Sequence, residues 1–347
     1  ARTKKILTSV SLNYVQQGLV AVAAIWTTPF LLHRLGADGL GTWQIVYQIL
    51  AYMVLADFGV VAMLPREVAY ITGKNASTQL EDLRGVFQLS LKTTLAQTAI
   101  AALLVGGILL WMPTSWALAR KPMELVLFVY LLTFPFRIFR AILFGLQDLA
   151  FLSNIQIIFW MLTTGLSLLF VNSGKGVMGL AAAWCIGELI SVLSWAARLM
   201  LKFPGIVSIP RSPLSIRELA EQFKKSFWVS VSQASQFLLA STDVLIIGAV
   251  LGPAAVVPYA ATSKVLSFAS NFPKAIAEAS VPALSELRAS NDKPRLRRAS
   301  SSLLLGMMTL SGAIACLLLT ANRAFVEWWL GAASFGGQNL NVLLCAN

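Results

Sequence analysis

The sequence predicts an all-α polytopic membrane protein built on a parallel internal repeat, and three observations predict it. Hydrophobic residues make up 57% of the 347 residues and charged residues 12%, with mean hydropathy +0.73. A soluble domain needs a more polar exterior than that composition can supply. The apolar residues fall into ten long stretches joined by short polar connections, each able, at about 1.5 Å per residue, to cross roughly 30 Å of hydrocarbon. Finally, the pattern of the first two stretches returns 216 residues later.

In chain order the expected spans are Val10–Leu32, Thr42–Leu64, Phe87–Trp111, Met123–Leu146, Phe151–Val171, Val177–Met200, Phe227–Leu251, Ala255–Ala279, Leu303–Thr320 and Phe325–Cys345. The last is interrupted by Gly331, Gly336 and Gly337 and ends without a polar flank, the pattern expected of a chain cut inside a larger protein. The longest polar connection, Lys202 to Glu218, holds Pro204, Pro210 and Pro213. It divides the chain into residues 1–202 with six spans, a linker at 203–218, and a partial second set at 219–347.

Alternate connections differ sharply in basic residues. Nineteen lie on the side of the amino terminus and five on the other, so the amino terminus is expected in the cytoplasm, with the chain in an inner membrane. The net charge of +12 therefore reads as a topological signal and not as a nucleic-acid surface. Cys185, Cys316 and Cys345 have no paired spacing, and His33 is the only histidine. Neither a disulfide frame nor a metal site is expected. No phosphate-binding glycine loop and no Asp-x-Asp pair is present, so neither an ATPase nor any cofactor is expected.

The repeat pairs Leu31-Leu32-His33-Arg34-Leu35-Gly36, followed by Trp43 and Tyr47, with Ile246-Ile247-Gly248-Ala249-Val250-Leu251-Gly252, followed by Tyr259. Leu64-Pro65-Arg66-Glu67 pairs with Val281-Pro282-Ala283-Leu284-Ser285-Glu286. Six spans separate the copies, so both halves face the same way, as in one class of alternating-access transporters.

Polar groups inside hydrocarbon are costly unless they face a partner or water, so their positions carry functional information. Asn13 and Gln17 share one face of the first span, and Gln44, Tyr47 and Gln48 share one face of the second. Ser226, Ser230, Gln233, Gln236 and Asp243 lie along one side of the seventh, and Lys264, Ser267, Asn271, Lys274 and Glu278 along the eighth. Any single amide can serve as interhelical glue. The four stripes as a set predict a hydrophilic cavity.

Among ionisable residues, Lys264 reads as a cavity group and Lys274 equally as a cavity or an interface group. Lys92 has a stem long enough to reach the cytoplasmic interface, where it is also a candidate for touching lipid phosphate. Arg137 and Arg140, one turn apart after Pro135, are expected to anchor that face or touch lipid phosphate. Glu188 and Asp243 are candidates for carrying a coupling proton. Asp57 points away from the Gln44–Gln48 face of an ideal helix and is expected to be structural. Trp26, Trp43, Tyr47 and Tyr52 are candidates for stacking on sugars, with Trp43 assigned first to an interfacial belt.

Several short motifs, in order, resemble polysaccharide flippases of the Wzx type, in the superfamily of multidrug and toxin extrusion (MATE) exporters and the lipid II flippase. They are Leu35-Gly36-Ala37-Asp38-Gly39-Leu40-Gly41-Thr42-Trp43, Ala56-Asp57-Phe58-Gly59, Gly145-Leu146-Gln147, Gly176-Val177-Met178-Gly179 and Thr242-Asp243-Val244-Leu245-Ile246-Ile247-Gly248. Asn13 in the first span fits the same pattern.

The resemblance implies two six-helix bundles, the second truncated here, around a central cationic cavity, with Lys264 and Lys274 as its basic residues. It implies an undecaprenyl-diphosphate-linked oligosaccharide as substrate, moved between leaflets by a non-enzymatic, ion- or potential-driven cycle. H+ or Na+ would be the coupling ion and membrane lipids the surroundings; a monomer is expected. The alternatives are a MATE-like drug exporter, a membrane polysaccharide polymerase or ligase, and a non-transporting scaffold. A cationic drug calls for an acidic cavity, and a polymerase or ligase for a large outer loop that these residues lack.

Overall fold

A computed structural model describes residues 2–73, 79–208, 215–271 and 293–346, with positions 273, 276, 277, 280 and 284 between the last two stretches. The side chains of residues 2–17, 19, 21, 216, 240 and 241 fall outside the description. The described residues are helical, with no strand among them. They form two compact units, residues 1–254 and 255–347.

In the first unit, α1 runs from Arg2 to Tyr52 through one non-helical residue, Gly36, at φ 70° and ψ 176°. The first two expected spans therefore meet at a glycine kink with no loop between them. Its repeat counterpart Gly252 also has positive φ, at 88°, a conformation that side chains beyond glycine rarely adopt.

The second expected span, Thr42–Leu64, is broken. A 3-10 turn covers Met53–Asp57, Phe58 and Gly59 are left-handed, and α2 resumes at Val60–Thr72. A break inside a membrane strands backbone groups that no lipid can satisfy, and here neighbouring helices satisfy them. Tyr130 donates to the Met53 carbonyl at 2.6 Å, and Gln97 donates to the Asp57 carbonyl at 2.9 Å. The Asp57 carboxylate accepts the Gly59 N–H at 2.8 Å.

The fourth span breaks in the same way. α3 (Gln79–Leu110) leads through a 3-10 turn at Thr114–Ala119 to α4 (Arg120–Thr133), which Pro135 ends in a second 3-10 turn before α5 (Arg137–Gly145). Then follow α6 (Leu149–Asn172), α7 (Gly176–Lys202) and α8 (Ile216–Val250). α8 starts well before the expected Phe227, because Ser215 and Glu218 close a reciprocal capping box there.

Glycines let these helices touch. A Cβ on Gly145 would come within 2.6 Å of the Val68 Cβ, welding α5 to α2, and one on Gly187 within 2.4 Å of Thr163, welding α7 to α6. α8 packs on α1 and α2: Tyr52 and Thr242 hydroxyls lie 2.6 Å apart, and Phe223 stacks near Phe58. Trp116 donates to the Gly248 carbonyl at 2.8 Å. Toward the linker end, Leu64, Phe87, Ile138, Ile142, Leu199 and Ile206 form a dry core, and Arg84 holds the Gly205 carbonyl.

The second unit holds α9 (Val256–Ala269), α10 (Lys293–Leu330) and α11 (Gln338–Ala346). Asn322 donates to the Thr262 carbonyl at 3.0 Å and to the Asn341 amide oxygen at 2.8 Å, and Thr262 accepts the Gly336 N–H at 2.8 Å.

Six described runs are long and apolar enough to span a bilayer, or seven with the bent α8, against ten expected stretches. Three features of the fold account for part of the difference. The kink at Gly36 fuses the first two stretches. α10 passes straight through Thr320–Phe325, where a loop was expected, because Thr320 bonds back to the Cys316 carbonyl and Arg323 pairs with Glu327 within the helix. The turn falls instead at Gly331, φ 90°, which leaves nine residues in α11.

Candidate functional site

The two breaks face a common cavity of about 630 Å³ enclosed by α1, α2, α5, α6, α7 and α8, all within the first unit. Its polar lining comprises Tyr47, Asp57, Arg137, Arg140, Gln156, Glu188, Ser191 and Gln233; Phe144, Phe159, Trp184 and Trp195 supply the apolar wall. Arg137 donates to the Tyr130 hydroxyl at 3.0 Å and lies 3.9 Å from the Asp57 carboxylate. Its guanidinium also sits over the Tyr130 and Phe134 rings, at 5.7 and 5.9 Å.

Arg140 and Glu188 differ from that pair. The charges of Arg137 and Arg140 both act on Glu188. Yet among the described residues neither Arg140 nor Glu188 makes a hydrogen bond, or an ion pair within 4.0 Å. Both groups are held open to the cavity. The amide oxygen of Gln233 is buried beside it with no partner.

A second cleft of about 300 Å³ shares Tyr47, Phe159 and Trp184 with the first. Trp43, Trp160, Thr27, Thr163, Thr164 and Ser167 line the rest, with Leu31, Leu168 and Leu180, between α1, α6 and α7. Among the described residues no three His, Cys, Asp or Glu side chains gather as a metal site.

The structure brings together only part of the expected site. Tyr47 and Gln233 line the cavity. Gln44 and Gln48 are half-buried and Gln236 exposed, and none of the three lines it. Gln44 keeps a buried, unpartnered oxygen. Lys264 and Asn271 are exposed in the second unit, and Asp243 is exposed on α8. The side chains of Asn13 and Gln17, and Lys274 altogether, lie outside the described residues.

Five further residues of the sequence reading have a definite place. Lys92 lies 4.0 Å from Glu218 on α8. Arg137 and Arg140 line the cavity. Trp43 lines the second cleft. Asp57 accepts the Gly59 N–H and also lines the cavity, although an ideal helix turns it away from Gln44 and Gln48. The reason is the 3-10 turn: each of its residues advances about 120° where an α-helical residue advances about 100°, so five of them swing the face by roughly 100°. That brings Asp57 back to the side of Tyr47. The chamber balances two arginines against two carboxylates.

Apart from Glu188, the lining residues of α6 and α7 were missed. Trp184, Glu188, Ser191 and Trp195 recur at steps of four, three and four, and Gln156, Phe159 and Thr163 at steps of three and four. Each set forms one helical face.

A separate ion cluster lies off the cavity, between α5 and α6. Asp148 accepts from Arg198 at 2.8 Å and from Lys202 at 2.8 Å. Burial pushes its carboxyl upward, but the hydrogen bonds from Arg198 and Lys202 outweigh that and hold it below the ordinary carboxylate value.

A family model described as polysaccharide biosynthesis protein matches residues 137–333. A search of curated proteins finds no match. Among solved structures, a multidrug resistance MATE family transporter of the MOP superfamily, inward-facing, aligns with a TM-score of 0.65 at 16% identity, over 93% of this chain and 75% of its own. An outward-facing structure of such a transporter aligns at 0.57 and 15% identity, over 98% and 78%. A MATE in complex with MaD3S aligns at 0.53 and 14% identity, over 98% and 77%. At such identities the likeness shows the fold: this is a multi-pass helical membrane protein with the MATE transporter architecture.

Proposed function

Because the chain belongs to the polysaccharide biosynthesis protein family, we propose that it is a flippase carrying an undecaprenyl-diphosphate-linked oligosaccharide across the bacterial cytoplasmic membrane. The observation that carries this reading is Arg140, a guanidinium open to a membrane-embedded cavity beside Arg137, with no hydrogen bond and no ion pair within 4.0 Å among the described residues. An unpaired cation inside a span is costly and is retained where a ligand or water meets it. Guanidinium groups match phosphate oxygens in pairs. A diphosphate cannot cross bare hydrocarbon, so a charged and wet path is what such cargo requires.

In this reading residues 1–202 and 219–347 are two bundles that rock about the 203–218 linker, with the amino terminus in the cytoplasm and the lipid tail left in the bilayer. Lys264 and Lys274 supply further positive charge from the second bundle. A proton exchanged at Glu188 or Asp243, or the membrane potential at about 2.3 kcal/mol per charge per 100 mV, drives the cycle.

Deletion of the full-length gene should leave lipid-linked oligosaccharide on the cytoplasmic leaflet, and a plasmid-borne copy should clear it. Normal export in the deletion strain would end the proposal. One competing reading, an ion-coupled drug exporter, is favoured by Glu188 in an aromatic cavity. It ranks second because the family model that matches the chain is described as polysaccharide biosynthesis protein.

A further inference from the structure

We propose that the cleft between α1, α6 and α7 is a carbohydrate subsite that holds a single sugar ring against Trp43, Trp160 and Trp184. The proposal rests on the translocation reading above and assigns the sugar next to the anion site a place of its own.

Unspent hydrogen-bonding capacity is the first argument. An indole N–H is a donor that usually finds a partner once covered. All three tryptophans are half-buried, yet among the described residues none of their N–H groups makes a hydrogen bond. Three of the four serine and threonine hydroxyls of the cleft behave the same way. Serine and threonine in a membrane helix ordinarily bond back to the preceding turn, as Thr163 does to the Phe159 carbonyl at 2.8 Å. Thr164, Ser167 and Thr27 make no such bond among the described residues. The cleft therefore sets apolar ring faces beside free donors and acceptors. A pyranose carries the complementary pair, a flat C–H face and a rim of hydroxyls.

Hydrogen bonding decides between occupants. An organic cation would also use the aromatic faces, but it would leave the hydroxyls of Thr27, Thr164 and Ser167 without a partner, whereas the adjoining chamber, which shares Tyr47, Phe159 and Trp184, offers Arg137 and Arg140 to a phosphate. A hydrocarbon tail would leave six polar groups unsatisfied, at a cost for each. A neutral ring whose anomeric phosphate reaches toward Arg140 satisfies both chambers. At about 300 Å³ the cleft is at the small end of ligand pockets, in keeping with one ring and not a chain.

The test uses the full chain in lipid nanodiscs, titrated by intrinsic tryptophan fluorescence. The probes are the 1-phosphates of glucose, galactose, N-acetylglucosamine and glucuronic acid, with inorganic phosphate and tetraphenylphosphonium as comparators. At least one sugar phosphate should bind tenfold or more tighter than inorganic phosphate. Trp160→Ala should erase that advantage without changing phosphate affinity, and the near-isosteric double variant Thr164→Val, Ser167→Ala should reduce it severalfold in a chain that keeps its bulk. If no sugar phosphate beats inorganic phosphate, or tetraphenylphosphonium alone binds, the subsite is refuted. Failure here with export still lost on gene deletion refutes the cleft alone; sugar binding with undisturbed export refutes the translocation reading instead.

Discussion

Two aspartates in the first unit each meet basic residues, and the contrast between them separates structure from function. Asp148 touches both of its cations at 2.8 Å, and Arg198 and Lys202 are themselves well exposed. Every charge there has a near partner or water, and Arg198 further covers the Phe151 ring at 4.8 Å. Asp57 keeps one cation at 3.9 Å, while Arg140 and Glu188 beside it have no partner within bonding distance among the described residues. A closed cluster holds a loop. An open one, inside a span where charge is expensive, holds a place for something else.

The sharpest way to break that comparison is to neutralise Arg140. If the open cluster is the cargo site, Arg140→Gln should lower translocation by about a hundredfold, the order expected when one member of a desolvated charge contact is removed. The protein should reach the membrane at normal levels, since Arg140 makes no internal bond that folding would miss. Wild-type export in this variant, scored by the leaflet assay, would reduce the open cluster to an accident of packing.

A second variant attacks the backbone that shapes the cluster. Gly59 has φ 73°, and a Cβ there would come within 2.9 Å of the Ser230 Oγ on α8. Gly59→Val should cost about 1–3 kcal/mol of stability, read as a lower thermal midpoint in detergent. It should also disturb transport, because Gly59 donates to the carboxylate that faces Arg137. An unchanged midpoint would mean that the break is loose and does not position Asp57.

How much of this was legible beforehand follows from the same break. Hydropathy was enough for the helical membrane class, and the turn glycines Gly36 and Gly252 stood out through the repeat. Glu188 was visible as a rare charge in a span. Asp57 was read as structural, and its place in the cavity lining was hidden because a helical wheel assumes one pitch throughout while the Met53–Asp57 turn winds more tightly. Arg137 and Arg140 were seen but placed at the surface, since the Pro135 turn that aims them is a tertiary matter. The faces of α6 and α7 carried the right spacing. Tryptophans and hydroxyls are common on lipid-facing helices, so the spacing alone did not separate a wall from a site.

The smallest expected effect sharpens the other side of the comparison. Asp148→Asn removes the closed cluster while leaving its cations solvated, so it should cost about 1 kcal/mol or less and leave export within about twofold of normal. Its pH dependence distinguishes charge from packing. The folded carboxyl titrates below its unfolded value, near 3.9. Its stabilisation is therefore complete above that value and disappears as pH falls through the lowered folded one. The stability gap between wild type and Asp148→Asn should be full at pH 6, shrink below pH 4 and close once the folded carboxyl is protonated. A gap that persists in strong acid would mean that the side chain packs and does not pair. Asp148 would then no longer be the closed counterpart against which the open charges of Arg140 and Glu188 are judged.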